Sequence, residues 1–477
     1  MSIAIAKPIT IPIKKQLLAL ILLAIFYSGD GFAAPDYQQT RQQFDNGEYT
    51  LSFPRLLALA KLGNASAQLT LAESYALGLG TEKHIEQAYA WTLMAMDHQH
   101  RDAKAHYLQY RRLANSKRHA KALYRALAKD YGINTLNQQL YPLTHQGNGL
   151  NNLNETAVPV HMPAPQYPDG LSQNNPGGWA IVEYDINPRG ETDHVQLLAA
   201  YTSGTASTMG PTSLETVKNW RFKPSEQLHQ TQWRLFQLPG AARDDHFAHL
   251  NQLRNSAMAG NATDQYLLAA LVEVGLINAN SKPYKATNSA IKIGTPLQWL
   301  LTSAINGYDK AQYALYRCLS KGGLCQPDNN KSLKWLNLAS EQGNINARYF
   351  LAKAYATRNN GLVAYAPEAA IPLLTGLINA NHLPAMILYT RLLAHNSNRR
   401  LMDPQKAIKY GQQAMALDHN HPDLLLNIGI ASFELDQFDK GQDFLLRAIN
   451  EAELRQWPVT DYVNVLDGYQ RKILVDK

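Results

Sequence analysis

The chain has 477 residues, of which 45% are hydrophobic and 17% are charged, and its formal net charge is +7. This polarity excludes a polytopic membrane protein, which needs several apolar runs of about 20 residues, and it excludes wholesale disorder. Two cysteines are too few for a disulfide-built scaffold, and a mildly basic charge alone does not indicate nucleic-acid binding. The length predicts about two to four domains.

The N-terminus predicts an export signal, residues 1–33. Lys7, Lys14 and Lys15 precede an apolar run from Leu17 to Phe26, which is too short to span a bilayer. Small residues in Gly31–Ala33 suit cleavage after Ala33, so we expect release into the periplasm, with an uncleaved anchor as the alternative. Cleavage removes three lysines and one aspartate, which lowers the net charge to +5.

An internal repeat follows the signal. Ala67 precedes Trp91 by 24 residues, and Ala311 precedes Trp335 by the same interval. A second interval of 12 residues runs from a tryptophan to the alanine that begins the following copy of the pattern. It joins Trp91 to Ala103, Trp299 to Ala311 and Trp335 to Ala347. Small and aromatic residues at helical spacing predict α-hairpins that must stack to bury their open faces.

These motifs resemble the Sel-like repeat, a relative of the tetratricopeptide repeat, over residues 36–131 and 245–400. Further along, Ala407, Gly411 and Pro422 resemble a tetratricopeptide repeat, and a last helix around Asp439–Ala452 would cap the array. The resemblance implies a mainly α solenoid that binds proteins and rarely carries out chemistry.

A basic segment closes the first array. Residues 101–129 hold nine Lys or Arg and a single acid. Their spacing, mostly of seven residues, predicts one positive stripe on a helix. The stripe consists of Lys104, Arg111, Arg118, Lys121 and Arg125. Contact with an anionic envelope partner, including the membrane surface, and a merely solvated face are both open, whereas the export signal disfavours nucleic acid.

A different module interrupts the repeats between about residues 147 and 240. Alternating residues from Ala180 to Ile186 and from Val195 to Ala199 predict two strands around the turn at Gly190. A helix from about Pro211 to Asn219 and a last strand, Gln232 to Leu238, complete a small α+β unit.

This module resembles the C-terminal domain of TonB energy transducers, mainly through the string from Val217 to Pro224, which includes Trp220 and Phe222. The resemblance implies capture of an extended partner segment by strand addition at an exposed edge, in the family usually with an outer-membrane transporter. We expect the strand Thr231–Leu238 to be this edge. The residues expected to contact the peptide are Thr231, Trp233, Arg234, Leu235 and Phe236.

Signals for chemistry are weak. Ser289 and Lys292 have the spacing of a serine acyl-enzyme but lack its partner motifs, so no catalytic residue, metal or cofactor is predicted. Cys318 and Cys325 are close enough for a local disulfide in an oxidising periplasm, and free thiols are the alternative.

We therefore expect a signal peptide (1–33), a Sel-like array (36–146), a TonB C-terminal-like domain (155–240) and a second array (245–470). The leading hypothesis is a non-enzymatic periplasmic adaptor that binds envelope proteins or peptides. The alternatives are an accessory of TonB-type energy transduction for outer-membrane transport and an envelope enzyme of the exported Sel-like type.

Overall fold

The computed structural model describes residues 34–144, 157–167, 178–202, 209–224, 231–238, 243–276, 295–322, 324–395 and 398–475. The expected signal, residues 1–33, lies outside the described residues, and so do Ser289 and Lys292. The fold is mainly helical, with a small α+β unit inserted between two helical arrays, and it confirms the predicted fold class.

The first array is a series of consecutive helices, most of which pack against the next helix along the chain. It consists of α1 (Tyr37–Asp45), α2 (Tyr49–Lys61), α3 (Ala65–Leu77), α4 (Ile85–Asp97), α5 (Ala103–Leu113), α6 (Lys117–Tyr131) and α7 (Ile133–Gln139). Ala67 and Trp91, which carry the repeat, are buried in its core. An alanine at the crossing lets the helices approach closely enough for the tryptophan to fill the space between them.

The second array follows the same plan. Its first half is α9 (Arg243–Met258), α10 (Ala262–Glu273), α11 (Pro296–Ile305), α12 (Asp309–Lys321), α13 (Asn329–Glu341) and α14 (Ile345–Tyr355). Its second half is α15 (Pro367–Asn379), α16 (Leu383–Ala394), α17 (Pro404–Met415), α18 (Pro422–Phe433), α19 (Phe438–Leu454) and α20 (Thr460–Val475). The helix expected at Asp439–Ala452 is α19, but α20 follows it and extends the array by one more helix.

Three of the repeats begin with the same local structure. A glycine with positive φ ends one helix, and an asparagine directly after it caps the next. The three pairs are Gly63 with Asn64, Gly260 with Asn261, and Gly343 with Asn344. Each asparagine accepts a hydrogen bond from the backbone N–H three residues on, at 2.8–2.9 Å. Such a cap satisfies a donor that the helix itself leaves unpaired.

The two arrays contact each other directly. The side-chain amide of Asn64 donates to Oδ1 of Asn306 at 2.8 Å, and the ammonium of Lys331 donates to the carbonyl of Tyr141 at 2.7 Å. The indole of Trp335 donates to the carbonyl of Leu140 at 2.9 Å. The segment that ends the first array is therefore buried in the core of the second.

The insert contains a three-stranded antiparallel sheet and a small two-stranded sheet. Its elements are β1 (Pro159–His161), β2 (Gly178–Ile186), β3 (Thr192–Thr202), α8 (Met209–Lys218), β4 (Arg221–Phe222) and β5 (Thr231–Leu238). The strand order is β3-β2-β5, and β1 pairs with β4. The predicted hairpin, helix and last strand are thus present in the predicted order.

Candidate functional site

The central strand β2 is buried along its whole length because both faces of its sheet are covered. On one face, Val182, Tyr184 and Ile186 pack against Val217 and Trp220, which belong to the insert itself. On the other face, the sheet packs against helices α9 and α10 of the second array. The residues in that contact are Trp179, Ile181, Leu250, Leu253, Leu268 and Leu271. The repeat array therefore covers one face of the insert's sheet.

Strand β5 lies at the edge of this sheet. It pairs with β2 from Thr231, opposite Asp185, to Leu238, opposite Gly178, and it has no second strand partner among the described residues. The strand expected from the sequence to be the edge is therefore at an edge. An edge strand presents one row of backbone N–H and C=O groups to an incoming chain.

The side chains of β5 differ in their exposure and in the residues that they contact. Trp233 and Leu235 pack toward the repeat array, and Phe236 packs against Trp220 with ring centroids 5.9 Å apart. Arg234 is exposed. Trp233 and Phe236 thus stabilise the sheet rather than face a partner, because alternate side chains enter two covered faces. Thr231 contributes its backbone to the pairing, and its side chain lies outside the described residues.

A buried carboxylate connects the sheet to the array. Glu183 of β2 accepts hydrogen bonds from the indole of Trp233 at 2.7 Å, from the hydroxyl of Tyr266 on α10 and from the amide of Gln196. Burial raises the pKa of Glu183, and these three donors oppose that rise. Hydrogen bonds from three donors offset the free-energy cost of burying this carboxylate, a cost that is large for an acid without partners.

A buried ion pair makes a second connection. Oδ2 of Asp185 lies 3.5 Å from Nη1 of Arg317 on α12, and both side chains are about 5% exposed. The imidazole of His194, on β3, lies 3.4 Å from the same carboxylate. Burial lowers the pKa of His194, but the hydrogen bond to Asp185 and the charges of Asp193 and Asp185 prevail and raise it. His194 has a φ of +51°, a left-handed conformation that is uncommon outside glycine.

The tip of the hairpin makes a third connection. The guanidinium of Arg189 lies 2.5 Å from Oδ2 of Asp423 on α18 and 3.5 Å from the ring centroid of Trp457. The hydroxyl of Tyr462 donates to the other oxygen of Asp423 at 2.6 Å. The β2–β3 hairpin thus runs along the first helices of successive repeats, from α10 through α12 to α18. The insert therefore lies against part of the second array.

The basic residues do not form the single stripe that their spacing predicted. Lys104 and Arg111 lie on α5, whereas Arg118, Lys121 and Arg125 lie on α6, and all five are exposed. The helical conformation is interrupted between α5 and α6. Ser116 caps the start of α6 by accepting a hydrogen bond from the N–H of His119 at 3.1 Å. The cations therefore form two exposed groups rather than one continuous row along a helix.

Cys318 and Cys325 are joined in a disulfide with their Cα atoms 5.8 Å apart. It ties the end of α12 to the segment that receives the first array. Thr144 forms an isolated β-bridge with Cys325, and the N–H of Gln326 donates to the carbonyl of Leu143 at 2.9 Å. The disulfide thus holds a loop at the junction of the two arrays.

Several groups at these junctions were not anticipated from the sequence. One example is the buried group of Glu183, Asp185 and Arg317. Another is Lys331, whose ammonium donates to the carbonyls of Asn137 and Tyr141 at 2.9 and 2.7 Å. The sequence feature that could have pointed to these groups is the presence of two acids in an otherwise apolar strand and of a cation in an apolar helix stripe.

Across the described ranges, no group of three or more His, Cys, Asp or Glu side chains is placed to hold a metal ion. In the same part of the chain, no helix combines the length and the apolar character needed to cross a bilayer.

The geometry defines an α-hairpin repeat protein with an inserted α+β unit. The solved structures that resemble it include a protective antigen of uropathogenic Escherichia coli strains that displays an SLR fold, and a Sel1 repeat protein from Oxalobacter formigenes. The first has 17% identity and a TM-score of 0.31, with 86% of this chain and 67% of the other covered. The second has 13% identity and a TM-score of 0.28, with 80% and 100% covered. No family model and no curated protein matches the chain.

Proposed function

We propose that the chain is a non-enzymatic protein-binding adaptor that captures an extended segment of a partner by strand addition along β5. The observation that carries this proposal is the position of β5 at the edge of a sheet whose two faces are already covered. Side chains from a partner cannot enter the covered faces, so the outer row of β5 backbone groups, which pairs with no strand within the described ranges, is the part of the sheet proposed for recognition.

The opposite edge strand, β3, is less suited to this role. Its start is occupied, because Glu191 forms a bridge with Arg221 and the hydroxyl of Thr192 donates to the carbonyl of Val217 at 2.8 Å. His194, further along, lies within the buried contact with Asp185. These contacts favour β5 over β3 as the strand that receives a peptide.

A pair of proline substitutions tests the proposal. Adjacent residues of a strand direct their backbone N–H groups to opposite edges, so one of Arg234→Pro and Leu235→Pro blocks the outer edge and the other breaks pairing with β2. The variant that keeps the wild-type melting temperature identifies the outer position. That variant should lose the partners that wild-type protein co-purifies. Retention of the same partners would refute strand addition.

We place the adaptor in the periplasm of a bacterial envelope, on the strength of the N-terminal segment alone. Envelope proteins or peptides, including an outer-membrane transporter, are then the proposed partners, as the TonB-like string from Val217 to Pro224 suggests. Cell fractionation tests this: a processed chain in the soluble periplasmic fraction supports it, whereas an unprocessed membrane-bound chain favours the energy-transduction accessory.

A further inference from the structure

Helices α5 and α6 expose positive charge that strand addition along β5 does not use. Residues 101–129 contain nine Lys or Arg, and all nine side chains are exposed. Both helices pack against α4. The ring of Tyr107 on α5 lies 5.4 Å from that of Tyr89, and the hydroxyl of Tyr124 on α6 donates to Asp97 at 2.5 Å. The packed sides of the two helices are thus aromatic, and their outer sides are basic.

One side of α6 carries four of these cations, which we call the basic face of α6. They are Arg118, Lys121, Arg125 and Lys129. At 100° per residue, they fall within an arc of about 80° along about 16 Å of the helix. The opposite side of α6 enters the core of the first array, where Ala120 is buried and Leu127 is half-buried. The basic face is therefore a straight row of charge that points away from the core.

Acids beside these helices leave this charge largely uncompensated, because they are engaged with other groups. Asp102 pairs with Arg101 at 3.2 Å, Asp97 accepts from Tyr124, Glu86 accepts from the N–H of Ser116 at 3.2 Å, and Glu73 pairs with Arg41 at 3.2 Å. Asp130 is exposed and directly follows Lys129, so it lies about 100° around the helix from it. Of the nine cations, only Arg101 forms an ion pair within the part of the chain that the structure describes.

The cations of the basic face repel one another. Lys121, Arg125 and Lys129 follow at intervals of four residues, the spacing at which like charges destabilise a helix. No acid lies three or four residues from any of them in the sequence. An anionic surface against α6 would offset this repulsion and attract each cation.

Two leucines of α5 are exposed among the cations. Leu108 is 44% exposed and lies one helical turn from Lys104 and from Arg112. Leu113, at the end of α5, is 55% exposed. It precedes Arg118 by five residues, so their Cα atoms are at most about 18 Å apart. Apolar side chains beside Lys and Arg are typical of helices that lie in a membrane interface. They favour a lipid surface over an acidic polymer, which offers charge without an apolar layer.

We infer that α5 and α6 bind an anionic lipid surface, with the basic face of α6 against headgroup phosphates and the two leucines in the interfacial layer. The inference goes beyond the proposed strand addition and does not depend on it, since no residue of the insert takes part. Reversible contact of this kind would concentrate the adaptor at a membrane surface without a spanning helix.

Co-sedimentation of the full chain with lipid vesicles tests this. The probes are vesicles of equal parts phosphatidylcholine and phosphatidylglycerol, and vesicles of phosphatidylcholine alone. We expect binding to the anionic vesicles that weakens with added salt, and binding at least about tenfold weaker to the neutral ones. Every sample contains the same purified form of the chain, so any contribution of the apolar run from Leu17 to Phe26 is common to all of them.

A pair of substitutions and a charge-matched control locate the surface. Lys121→Gln with Arg125→Gln should weaken binding to anionic vesicles about 25-fold, which corresponds to about fivefold for each cation. Arg400→Gln with Lys409→Gln removes the same charge from exposed positions in the second array and should leave binding unchanged.

Two further variants complete the set. Leu108→Ser with Leu113→Ser keeps the charge and should weaken binding about tenfold, because less apolar surface enters the membrane. Arg118→Gln with Lys129→Gln is a second test of the basic face, with the same expected loss. Circular dichroism verifies that each variant is folded, and only folded variants are compared.

Equal binding to the two kinds of vesicle would overturn the inference, as would equal losses in the basic-face variants and their charge-matched control. A serine variant that binds like wild type would overturn the assignment to lipid in favour of an acidic protein, which retention on immobilised poly-glutamate would show. The outer-edge proline variant of β5 should bind anionic vesicles like wild type. Failure of lipid binding and failure of strand addition are therefore separate results.

Discussion

The buried pair of Asp185 and Arg317 provides a quantitative test of how the insert is attached to the array. At the observed 3.5 Å, two unit charges attract by about 5 kcal/mol at an effective dielectric constant of 20. Removing one partner of a buried pair typically costs 3–5 kcal/mol, because the other charge stays buried and unpaired. Asp185→Asn should cost more than Arg317→Met, since His194 remains beside Asp185 and partly compensates its charge when Arg317 is absent.

Urea denaturation of the two single variants and the double variant gives the coupling free energy. We expect the double variant to be at least about 2 kcal/mol more stable than the sum of the single effects predicts. The matched control is the surface pair of Arg41 and Asp45, 2.8 Å apart on α1, whose coupling should not exceed about 0.5 kcal/mol. Additive effects within about 0.5 kcal/mol at Asp185 and Arg317 would refute the reasoning.

Three further predictions concern stability. Replacing Cys318 and Cys325 by serine should lower the free energy of unfolding by about 2–3 kcal/mol, measured by urea denaturation in oxidising buffer. Asn261→Ala removes the cap of α10 and should cost about 1 kcal/mol in the same assay. Burial raises the pKa of Glu273 to about 7, so this group should lower stability by about 2 kcal/mol, after solvent screening, as pH rises from 4.5 through 7. Glu273→Gln should reduce the fall by that amount and leave the part due to Glu183, whose pKa is also raised.

Each of these has a result that would contradict it. A reductant that destabilises the serine variant as much as wild type would exclude the disulfide as the cause. An unchanged unfolding midpoint for Asn261→Ala would show that the cap contributes nothing. Stability that is flat with pH in wild type, or that falls equally in Glu273→Gln, would exclude the burial of that carboxyl as the source.

The helical repeats could be predicted from the sequence because their causes are local. Ala67 and Trp91 recur at fixed intervals since two helices can cross closely only at a small residue, and a glycine such as Gly63 must end a helix where φ is positive. The strands of the insert could be predicted for the same reason, since alternation of side chains requires only a few neighbouring residues.

The attachment of the insert could not be predicted in this way. Glu183 meets Tyr266 across 83 residues, and Arg189 meets Asp423 across 234 residues, so no local pattern links the partners. The prediction of one basic stripe was wrong for a different reason. The seven-residue spacing runs through the capping residue Ser116, where a new helix begins, so residues before and after it do not share one helix face.

Site-specific photo-crosslinking in intact cells tests the adaptor proposal most directly. A photoreactive residue at Gln237, exposed on β5, is compared with one at Lys121, exposed on α6. The proposal predicts a discrete crosslinked partner at position 237 that is absent at position 121 and lost when the outer-edge proline is also present. No crosslink at position 237, or a crosslink that survives the proline, would contradict it.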